Sequence, residues 1–376
     1  MVAMTRTRGA VIRKNPGKIE VTDLDVEDPQ PDEVQIELAA SGMCHSDDHH
    51  VTGDSPPHMF PFALGHEGAG IITKVGGPNR KGLKEGDHVV LSAVPSCGNC
   101  RWCMTGRQNL CNLVGGILAG HRWTDGTFRM FEPDGTPVGQ HCGISTFVPT
   151  TTVSVDSCVK IDDDIPLEVA CLVGCGVATG WGSAVNSAGI QPGDVAVVMG
   201  IGGIGINAVQ GAKHAGAGAI IAVDPVAMKR EKAEEFGATH SASSMEEATE
   251  VARQLTDGQG ADATIITVGV MKPEYVSQGL GATRKAGTCV VTAIGKNATT
   301  PVDMNVYELT LAQKSLVGAL FGASRGSWDI PRLLQLYRNG QLKLDELVTR
   351  TYSLDEINQG YRDMHDGKNI RGVIRY

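Results

Sequence analysis

The chain lacks a long apolar segment and lacks an excess of basic residues. No apolar stretch approaches the ~20 uncharged residues that a membrane span needs, and the basic segment 1–10 is not followed by the apolar run of a secretory leader. The 33 Lys and Arg residues are outnumbered by 42 Asp and Glu, which gives a net charge of -9. The lack of an apolar span and of a leader segment leads us to expect a cytoplasmic protein without membrane contact. Because an acidic chain repels phosphate backbones, we also expect no contact with nucleic acid.

The cysteines do not have the distribution of a disulfide framework. Four of the ten crowd together with the spacing Cys-x2-Cys-x2-Cys-x7-Cys, which indicates metal ligation in a reducing compartment. Four thiolates leave a tetrahedral zinc ion no open position, so the spacing predicts a structural zinc held by Cys97, Cys100, Cys103 and Cys111. Redox-active or inert thiols are one alternative, and an iron–sulfur cluster is another, although the bacterial cluster run ends in Cys-x3-Cys-Pro.

The pattern along the chain predicts an α/β protein with two domains. Residues 1–176 contain short β-rich runs between Gly and Pro turns, which predicts a mainly β domain. Residues 177–323 alternate apolar strands with helices, which predicts the doubly wound parallel sheet of a Rossmann domain. The β-like tail Gly372–Tyr376 leads us to assign 324–376 back to the first domain.

A glycine-rich turn predicts a dinucleotide site in the second domain. The turn Gly200-Ile201-Gly202-Gly203-Ile204-Gly205 follows the apolar strand Val195–Met199 and opens a helical pattern. Such glycines let the backbone approach a pyrophosphate at the positive end of a helix. Asp224 lies nineteen residues beyond the last glycine, where its carboxylate would hold both ribose hydroxyls and repel a 2′-phosphate. The pattern therefore favours NAD over NADP.

Three further segments are uninformative singly and informative in their order. They are Gly42-Met43-Cys44-His45-Ser46-Asp47-Asp48-His49, then Gly65-His66-Glu67, then Gly174-Cys175-Gly176. Together with the four-cysteine segment and the glycine turn, they resemble the zinc-dependent medium-chain alcohol dehydrogenases over essentially the whole chain. The segments Ser41–Asp54, Cys171–Gly182 and Ile370–Tyr376 are similar to the actinobacterial NDMA-dependent, or nicotinoprotein, subgroup.

The resemblance implies a GroES-like first domain with an open catalytic zinc site. It makes Cys44, His66 and Cys175 the zinc ligands and leaves one position for water or alcohol. Two roles stay open for Glu67, which is either a transient ligand or a structural acid behind the metal. Asp47 would accept a hydrogen bond from the imidazole of His66 and fix its tautomer.

The same resemblance assigns two catalytic residues to proton release. Ser46 would pass the alcohol proton on, and His49, expected near solvent, would deliver it outside. The neighbouring His50 is interpreted as an ordinary loop residue. Many relatives carry a bulky aromatic residue where this chain has Ala93, which suggests a roomy alcohol pocket.

The resemblance also extends the cofactor site beyond the turn and Asp224. Lys229 would lie beside the adenosine ribose, and His45 and Arg371 would meet the pyrophosphate. Many relatives have Arg at the position of His45. The nicotinamide would be lined by Thr179, Thr292, Ala319 and Phe321.

These features predict an NAD-dependent zinc alcohol dehydrogenase that interconverts a primary alcohol and an aldehyde. The subgroup resemblance adds NAD that is held tightly and recycled in place by a second, electron-accepting substrate. The alternatives are a dissociable-NAD alcohol dehydrogenase, a formaldehyde dehydrogenase that acts on a thiol adduct, and a zinc-stabilised binding module without activity. The segment Ser315–Gly322 resembles the edge strand through which relatives pair, so we expect a homo-oligomer.

Overall fold

The strands and helices follow the two hydrophobic patterns of the sequence. A computed structural model describes residues 3–296 and 301–376. The strands are β1 (Met4–Ile12), β2 (Glu20–Glu27), β3 (Glu33–Gly42), β4 (Phe62–Ala63), β5 (Gly68–Val75), β6 (His88–Leu91), β7 (Met130–Phe131), β8 (Gly139–Gln140), β9 (Thr150–Ser154), β10 (Cys158–Lys160), β11 (Val195–Met199), β12 (Ala219–Val223), β13 (His240–Ala242), β14 (Ala261–Ile266), β15 (Thr283–Val291), β16 (Ser315–Gly318), β17 (Val348–Tyr352) and β18 (Arg371–Arg375). The helices are α1 (His45–Thr52), α2 (Arg101–Met104), α3 (Leu167–Ala170), α4 (Gly176–Gly182), α5 (Gly203–His214), α6 (Ala227–Phe236), α7 (Met245–Leu255), α8 (Pro273–Ala282), α9 (Val306–Leu311), α10 (Gly326–Arg338) and α11 (Ile357–His365).

The chain divides into two units close to the predicted boundaries. Unit 1 comprises Met1–Cys175 and Arg325–Tyr376, and unit 2 comprises Gly176–Ser324. The predicted boundaries, after residue 176 and before residue 324, each differ from these by one residue. Cys175 therefore ends the first segment of unit 1.

Unit 1 is built from two β-sheets. One has the strand order β7-β2-β1-β4-β8, and the other has the order β10-β6-β5-β3-β18-β17 with β9 also pairing with β3. Strand β3 is central to the second sheet because its apolar residues Val34, Ile36 and Leu38 pack into the core of this unit. The C-terminal strand β18 pairs antiparallel with the end of β3, with Val373 opposite Gly42. The predicted return of the tail to the first domain is confirmed.

Unit 2 is a parallel sheet with the strand order β13-β12-β11-β14-β15-β16. Strands β11 and β12 are buried along their whole length, as their continuous apolar runs predict for strands covered on both faces. Strand β16 forms an edge, as expected for its segment. Helices α7 and α8 and strand β13 add to the predicted pattern.

In the described part of the chain, no single helix combines the length and apolar composition of a membrane span. Two consecutive helical stretches, Leu167–Gly174 and Gly176–Ser187, satisfy that combination only when they are taken together.

Candidate functional site

Unit 1 brings Cys44, His66, Glu67 and Cys175 together in one cluster. Cys44 caps the start of α1, His66 and Glu67 lie between β4 and β5, and Cys175 directly precedes α4. One ligand atom from each of the four residues lies within 4.8 Å of the other three. The predicted ligands, which are up to 131 residues apart in sequence, therefore converge.

The donor set of this catalytic cluster fits zinc. Two thiols and one imidazole are ligands that zinc accepts in an open catalytic site. Among the described residues, His66 Nε2 is buried and has no hydrogen-bond partner, as expected of a nitrogen that faces a metal. Hydrogen bonding with Cys175 and the proximity of His66 hold the pKa of Cys44 well below its ordinary range. The same hydrogen bond, together with burial, raises the pKa of Cys175 well above its ordinary value.

Glu67 and Arg371 form a buried pair beside the cluster. The Arg371 guanidinium donates to the Glu67 carboxylate and, at 3.2 Å, to the Met43 carbonyl. Burial raises the pKa of Glu67 to about 7 against the opposing charge of Arg371. Gly42 suits this position because a Cβ here would collide with the Glu67 carboxylate and the Leu172 side chain and would crowd Arg371.

The observed partners of Arg371 differ from its predicted one. The resemblance places this side chain at a pyrophosphate, whereas in the structure Glu67 holds it against the metal cluster. In the described part of the chain, Arg371 Nε is buried without a hydrogen-bond partner. A contact with pyrophosphate through this atom stays a prediction.

Asp47 connects His66 to two histidines that the sequence analysis did not assign to the site. Its carboxylate accepts from Gly65 N at 2.7 Å and lies 2.9 Å from His66 Nδ1 and 2.8 Å from His141 Nδ1. The interpretation of His50 as a loop residue is wrong, because it lies in α1, is buried, and has its Nε2 3.0 Å from His141 Nε2. No spacing signal links position 141 to position 50, so only the fold could reveal this contact.

The pKa values of Asp47, His50 and His141 are set by burial and by the charges and hydrogen bonds of their neighbours. Burial alone would raise the pKa of Asp47, but His66 and the hydrogen bond from His141 outweigh it and leave the pKa below its ordinary value. Burial lowers the pKa of His50 to about 3. Burial also opposes protonation of His141, yet contacts with Cys142 and Asp47 raise its pKa to about 9.

The structure places Ser46 beside the cluster and buries His49. Ser46 Oγ lies 3.7 Å from Cys44 Sγ. His49 is only 2% exposed, which contradicts the expected position near solvent. It follows Ser46 by three residues on α1, and its Nδ1 lies 3.5 Å from a carboxylate oxygen of the more exposed Asp54. A proton that reaches His49 therefore has a further acceptor on its way to water.

The four-cysteine segment forms a separate cluster in unit 1. Its four sulfur atoms all lie within 4.8 Å of one another, and the Cys100 and Cys111 sulfurs are 3.9 Å apart. Zinc–sulfur bonds of about 2.3 Å in a tetrahedron require a sulfur separation of about 3.8 Å. Backbone N–H groups of Cys103 and Asn112 lower the pKa of Cys100 to about 6. The sulfur separations fit a closed zinc site.

The glycine turn of unit 2 has the shape of a phosphate cradle. Gly200 adopts φ +94°, and a Cβ at Gly205 would collide with the Gly200 carbonyl. No described atom lies within 4 Å of a Cβ built on Gly202, and no described side chain caps α5, which starts at Gly203. Open space at an uncapped helix N-terminus suits an anion. Thr267, absent from the predicted site, braces the turn by donating to the Gly200 carbonyl at 2.7 Å.

Asp224 directly follows β12 and already has backbone partners. One carboxylate oxygen accepts from Ile201 N and the other from Val226 N, both at 2.9 Å. Lys229 Nζ lies 3.9 Å from the carboxylate. Because a carboxylate accepts up to about four hydrogen bonds, capacity remains for two ribose hydroxyls. Asp224 therefore supports the turn and can also bind the hydroxyl groups of a ribose.

The predicted nicotinamide residues lie on neighbouring segments of unit 2. Ser183 Oγ donates to the Thr179 carbonyl at 2.7 Å and lies 2.8 Å from the Thr292 hydroxyl. Ala319 and Phe321 follow β16, and Phe321 adopts φ +56°. In unit 1, His45 begins α1 with its Nε2 3.8 Å from Asp48. Ser183 is the linking residue that the sequence did not reveal.

Comparison with known proteins shows that two family models match this chain. The model for the alcohol dehydrogenase GroES-like domain matches residues 30–163, and the model for zinc-binding dehydrogenases matches residues 203–339. The chain is 49% identical to an NDMA-dependent alcohol dehydrogenase of Amycolatopsis methanolica, with 99% of each chain covered. It is 48% identical to alcohol dehydrogenase B of Mycobacterium tuberculosis, with 99% of this chain and 98% of the relative covered.

A solved structure extends the agreement to three dimensions. The benzyl alcohol dehydrogenase of Acinetobacter calcoaceticus superimposes with a TM-score of 0.90 at 32% identity, covering 99% of both chains. The fold and site define a zinc-binding dehydrogenase with a GroES-like domain. The chain belongs to the zinc-dependent medium-chain alcohol dehydrogenases, and it is an oxidoreductase that acts on alcohols. The predicted fold class and family are confirmed, and the reading as a binding module without activity is wrong.

Proposed function

We propose that the protein oxidises primary alcohols to aldehydes with an NAD molecule that stays bound and is recycled in place by a second substrate. The catalytic cluster of Cys44, His66 and Cys175 carries this proposal, because it gathers an open zinc ligand set around a buried, unpartnered imidazole nitrogen. The nicotinoprotein part is supported by 49% identity to a relative named NDMA-dependent alcohol dehydrogenase.

Zinc and NAD would supply one part of the chemistry, and residues of the chain would supply the other. A zinc ion in the cluster would supply Lewis acidity that lowers the pKa of the alcohol hydroxyl by several units. The alcohol then gives up one hydride and one proton, and NAD supplies the hydride acceptor. Asp47 orients His66, and the Glu67–Arg371 pair places a balanced charge beside the two thiols.

We assign proton release to Ser46 and His49, with Asp54 as the outer acceptor. Ser46 lies beside the ligand Cys44, and His49 is buried on the same helix. Because His49 is enclosed, its proton must move to another group before it reaches water. Asp54 suits this step, since its carboxylate lies 3.5 Å from His49 Nδ1 and is partly exposed.

We assign the cofactor as NAD rather than NADP. Asp224 can accept further hydrogen bonds beside the uncapped start of α5. The negative charge of its carboxylate would repel a 2′-phosphate. Residues His45, Lys229, Thr179, Thr292, Ala319, Phe321 and Arg371 complete the proposed cofactor site.

We propose that the alcohol pocket accepts bulky substrates. Ala93 is buried, its backbone N–H donates to the Gly174 carbonyl at 3.0 Å, and it belongs to the apolar cluster against which Cys175 packs. A small side chain beside a zinc ligand leaves room for a larger alcohol.

We also propose two zinc ions per chain, a homo-oligomer and a cytoplasmic location. The two clusters each gather four possible ligand atoms. The edge strand β16 and helix α9 expose apolar residues, among them Leu316 (38% exposed) and Tyr307 (74% exposed), that a second copy would cover. All ten cysteines are free thiols, as is typical of proteins in a reducing compartment.

The decisive experiment is to purify the protein and record its absorbance spectrum, nucleotide content and zinc content after gel filtration. We expect about one NAD(H) and two zinc ions per chain. Alcohol turnover should then proceed with an added electron acceptor and without free NAD. If the protein emerges free of nucleotide and requires added NAD, the dissociable-NAD alternative is correct. A strict requirement for a thiol with formaldehyde would instead support the thiol-adduct alternative.

A further inference from the structure

A continuous row of buried polar groups leads from His66 away from the catalytic cluster. Asp47 lies 2.9 Å from His66 Nδ1 and 2.8 Å from His141 Nδ1. His141 Nε2 lies 3.0 Å from His50 Nε2, and His50 Nδ1 meets the Ser55 carbonyl. All four residues are at most 3% exposed, so water cannot substitute for a missing partner.

The partners at each end of the row fix the hydrogens on the two outer rings. A carbonyl only accepts, so His50 Nδ1 must donate to Ser55. A carboxylate likewise accepts, so His141 Nδ1 must donate to Asp47. The contact between the two Nε2 atoms then requires one shared hydrogen. Each nitrogen of His50 and His141 therefore has a defined partner, and neither ring can flip without losing its contacts.

The same contacts lock the Asp47 carboxylate. Oδ1 accepts from Gly65 N and from His141 Nδ1, and Oδ2 faces His66 Nδ1. Without His141, the carboxylate would keep one backbone donor on Oδ1 and could rotate about its side-chain bonds. His66 would then lose the fixed acceptor that aims its Nε2 at the other ligands.

We infer that His141 is a positioning residue for the zinc ligand His66, acting through Asp47, and that His50 holds His141 in the required orientation. This inference rests on the proposed catalytic zinc. Its competitor is a purely packing role, since the His141 ring also stacks edge-on with His66 at a centroid distance of 4.7 Å.

Two amide substitutions separate the roles because they keep different nitrogens of the ring. In His141→Asn the amide replaces Nδ1 and preserves the donor to Asp47. In His141→Gln the amide reaches the position of Nε2, which preserves the contact with His50 and removes the donor to Asp47. His121→Gln is a matched control, because His121 contacts the Arg122 carbonyl and the Phe128 ring instead.

The experiment measures zinc release from the purified protein to excess chelator, together with the visible spectrum of the cobalt-substituted protein. We expect His141→Gln to release the catalytic zinc roughly 10–100-fold faster than wild type and to shift the cobalt bands. His141→Asn and His121→Gln should stay close to wild type, and the structural zinc should be unaffected in all three. Equal release from the Asn and Gln variants, or faster release from Asn, would overturn the inference.

A second variant covers the case in which His141→Gln does not fold. His50→Leu removes the support of His141 and leaves Asp47 untouched, so a smaller acceleration and cobalt shift are expected. Wild-type release from His50→Leu would then reject the inference. The proposed function fails separately, if the wild-type protein itself binds no zinc outside the four-cysteine cluster.

Discussion

The two clusters of possible metal ligands in unit 1 contain similar residues and are built in opposite ways. The four-cysteine cluster lies within residues 97–111, and its thiols accept hydrogen bonds from backbone N–H groups of the same segment. The catalytic cluster gathers Cys44, His66 and Cys175 from three distant segments. Side chains from other segments then support it, as Asp47 does for His66 and Arg371 for Glu67.

The local cluster is suited to stabilising a fold, and the assembled cluster is suited to catalysing a reaction. A closed local cluster stabilises its segment and leaves the metal no position for substrate. An assembled cluster leaves a position open and depends on tertiary structure for its geometry. Substitutions in and around each cluster can test that separation.

Cys175→Ser should abolish alcohol oxidation and leave one zinc per chain. Losing a metal that stabilises developing charge by several kcal/mol corresponds to roughly a 10³-fold or larger loss of turnover. Zinc analysis and steady-state kinetics measure both effects. Cys158→Ser, at another buried cysteine of unit 1, is the matched control and should stay active. Retained turnover with a single zinc would refute the ligand assignment.

His49→Gln should slow alcohol oxidation by about 10²-fold, most strongly below about pH 7, where little hydroxide can take the proton. Asp54→Asn should change the pH profile in the same direction and by less, because it lies one step further out. Turnover against pH is the measurement, with nucleotide and zinc content verified. Raised pH or a small imidazole-like base should restore part of the rate. Parallel profiles without rescue would remove His49 from the proton path.

Asp224→Asn should weaken the binding of NAD and relax discrimination against NADP by roughly 10–100-fold, the range of a charge-assisted hydrogen bond. Asparagine is the informative change because its oxygen still accepts from a backbone N–H of the turn. Asp224→Gly should add a loss of turn stability. Binding of both nucleotides to the cofactor-free protein tests this. Unchanged selectivity would mean that another residue reads the ribose.

Ala93→Phe should shift preference from aromatic towards small alcohols by about tenfold in kcat/KM, since filling a pocket discriminates by about 1–3 kcal/mol. The comparison is between benzyl alcohol and ethanol, with zinc content held constant. An equal change for both alcohols would indicate damage to the Cys175 side of the cluster rather than altered specificity.

Cys103→Ser should leave the turnover of each folded molecule nearly unchanged and lower thermal stability. A loss of about 3 kcal/mol from the structural cluster corresponds to a fall of roughly 6–12 °C in melting temperature. Calorimetry measures the fall, with Cys158→Ser again as control. An unchanged melting temperature would contradict the structural role and erase the distinction between the two clusters.

Features that are local or periodic could be predicted from the amino-acid sequence. The cysteine spacing defined the closed cluster, because fifteen residues suffice to surround one ion. The glycine turn after Val195–Met199 and the acid at Asp224 predicted the dinucleotide unit, since strand, turn and helix are consecutive. The family resemblance predicted that Cys44, His66 and Cys175 gather in one site, and the structure brings these three residues together.

Contacts between distant segments could not be predicted in this way, because no sequence pattern connects the segments. The pairing of β18 with β3 puts Arg371 beside Glu67 and Gly42, where the resemblance had predicted a pyrophosphate. The packing of α1 buries His49 and His50, although their polar sequence suggested an exposed loop. His141 meets Asp47 across 94 residues of chain. Buried polar groups must find partners wherever the fold places them, and that requirement leaves no spacing in the sequence to read.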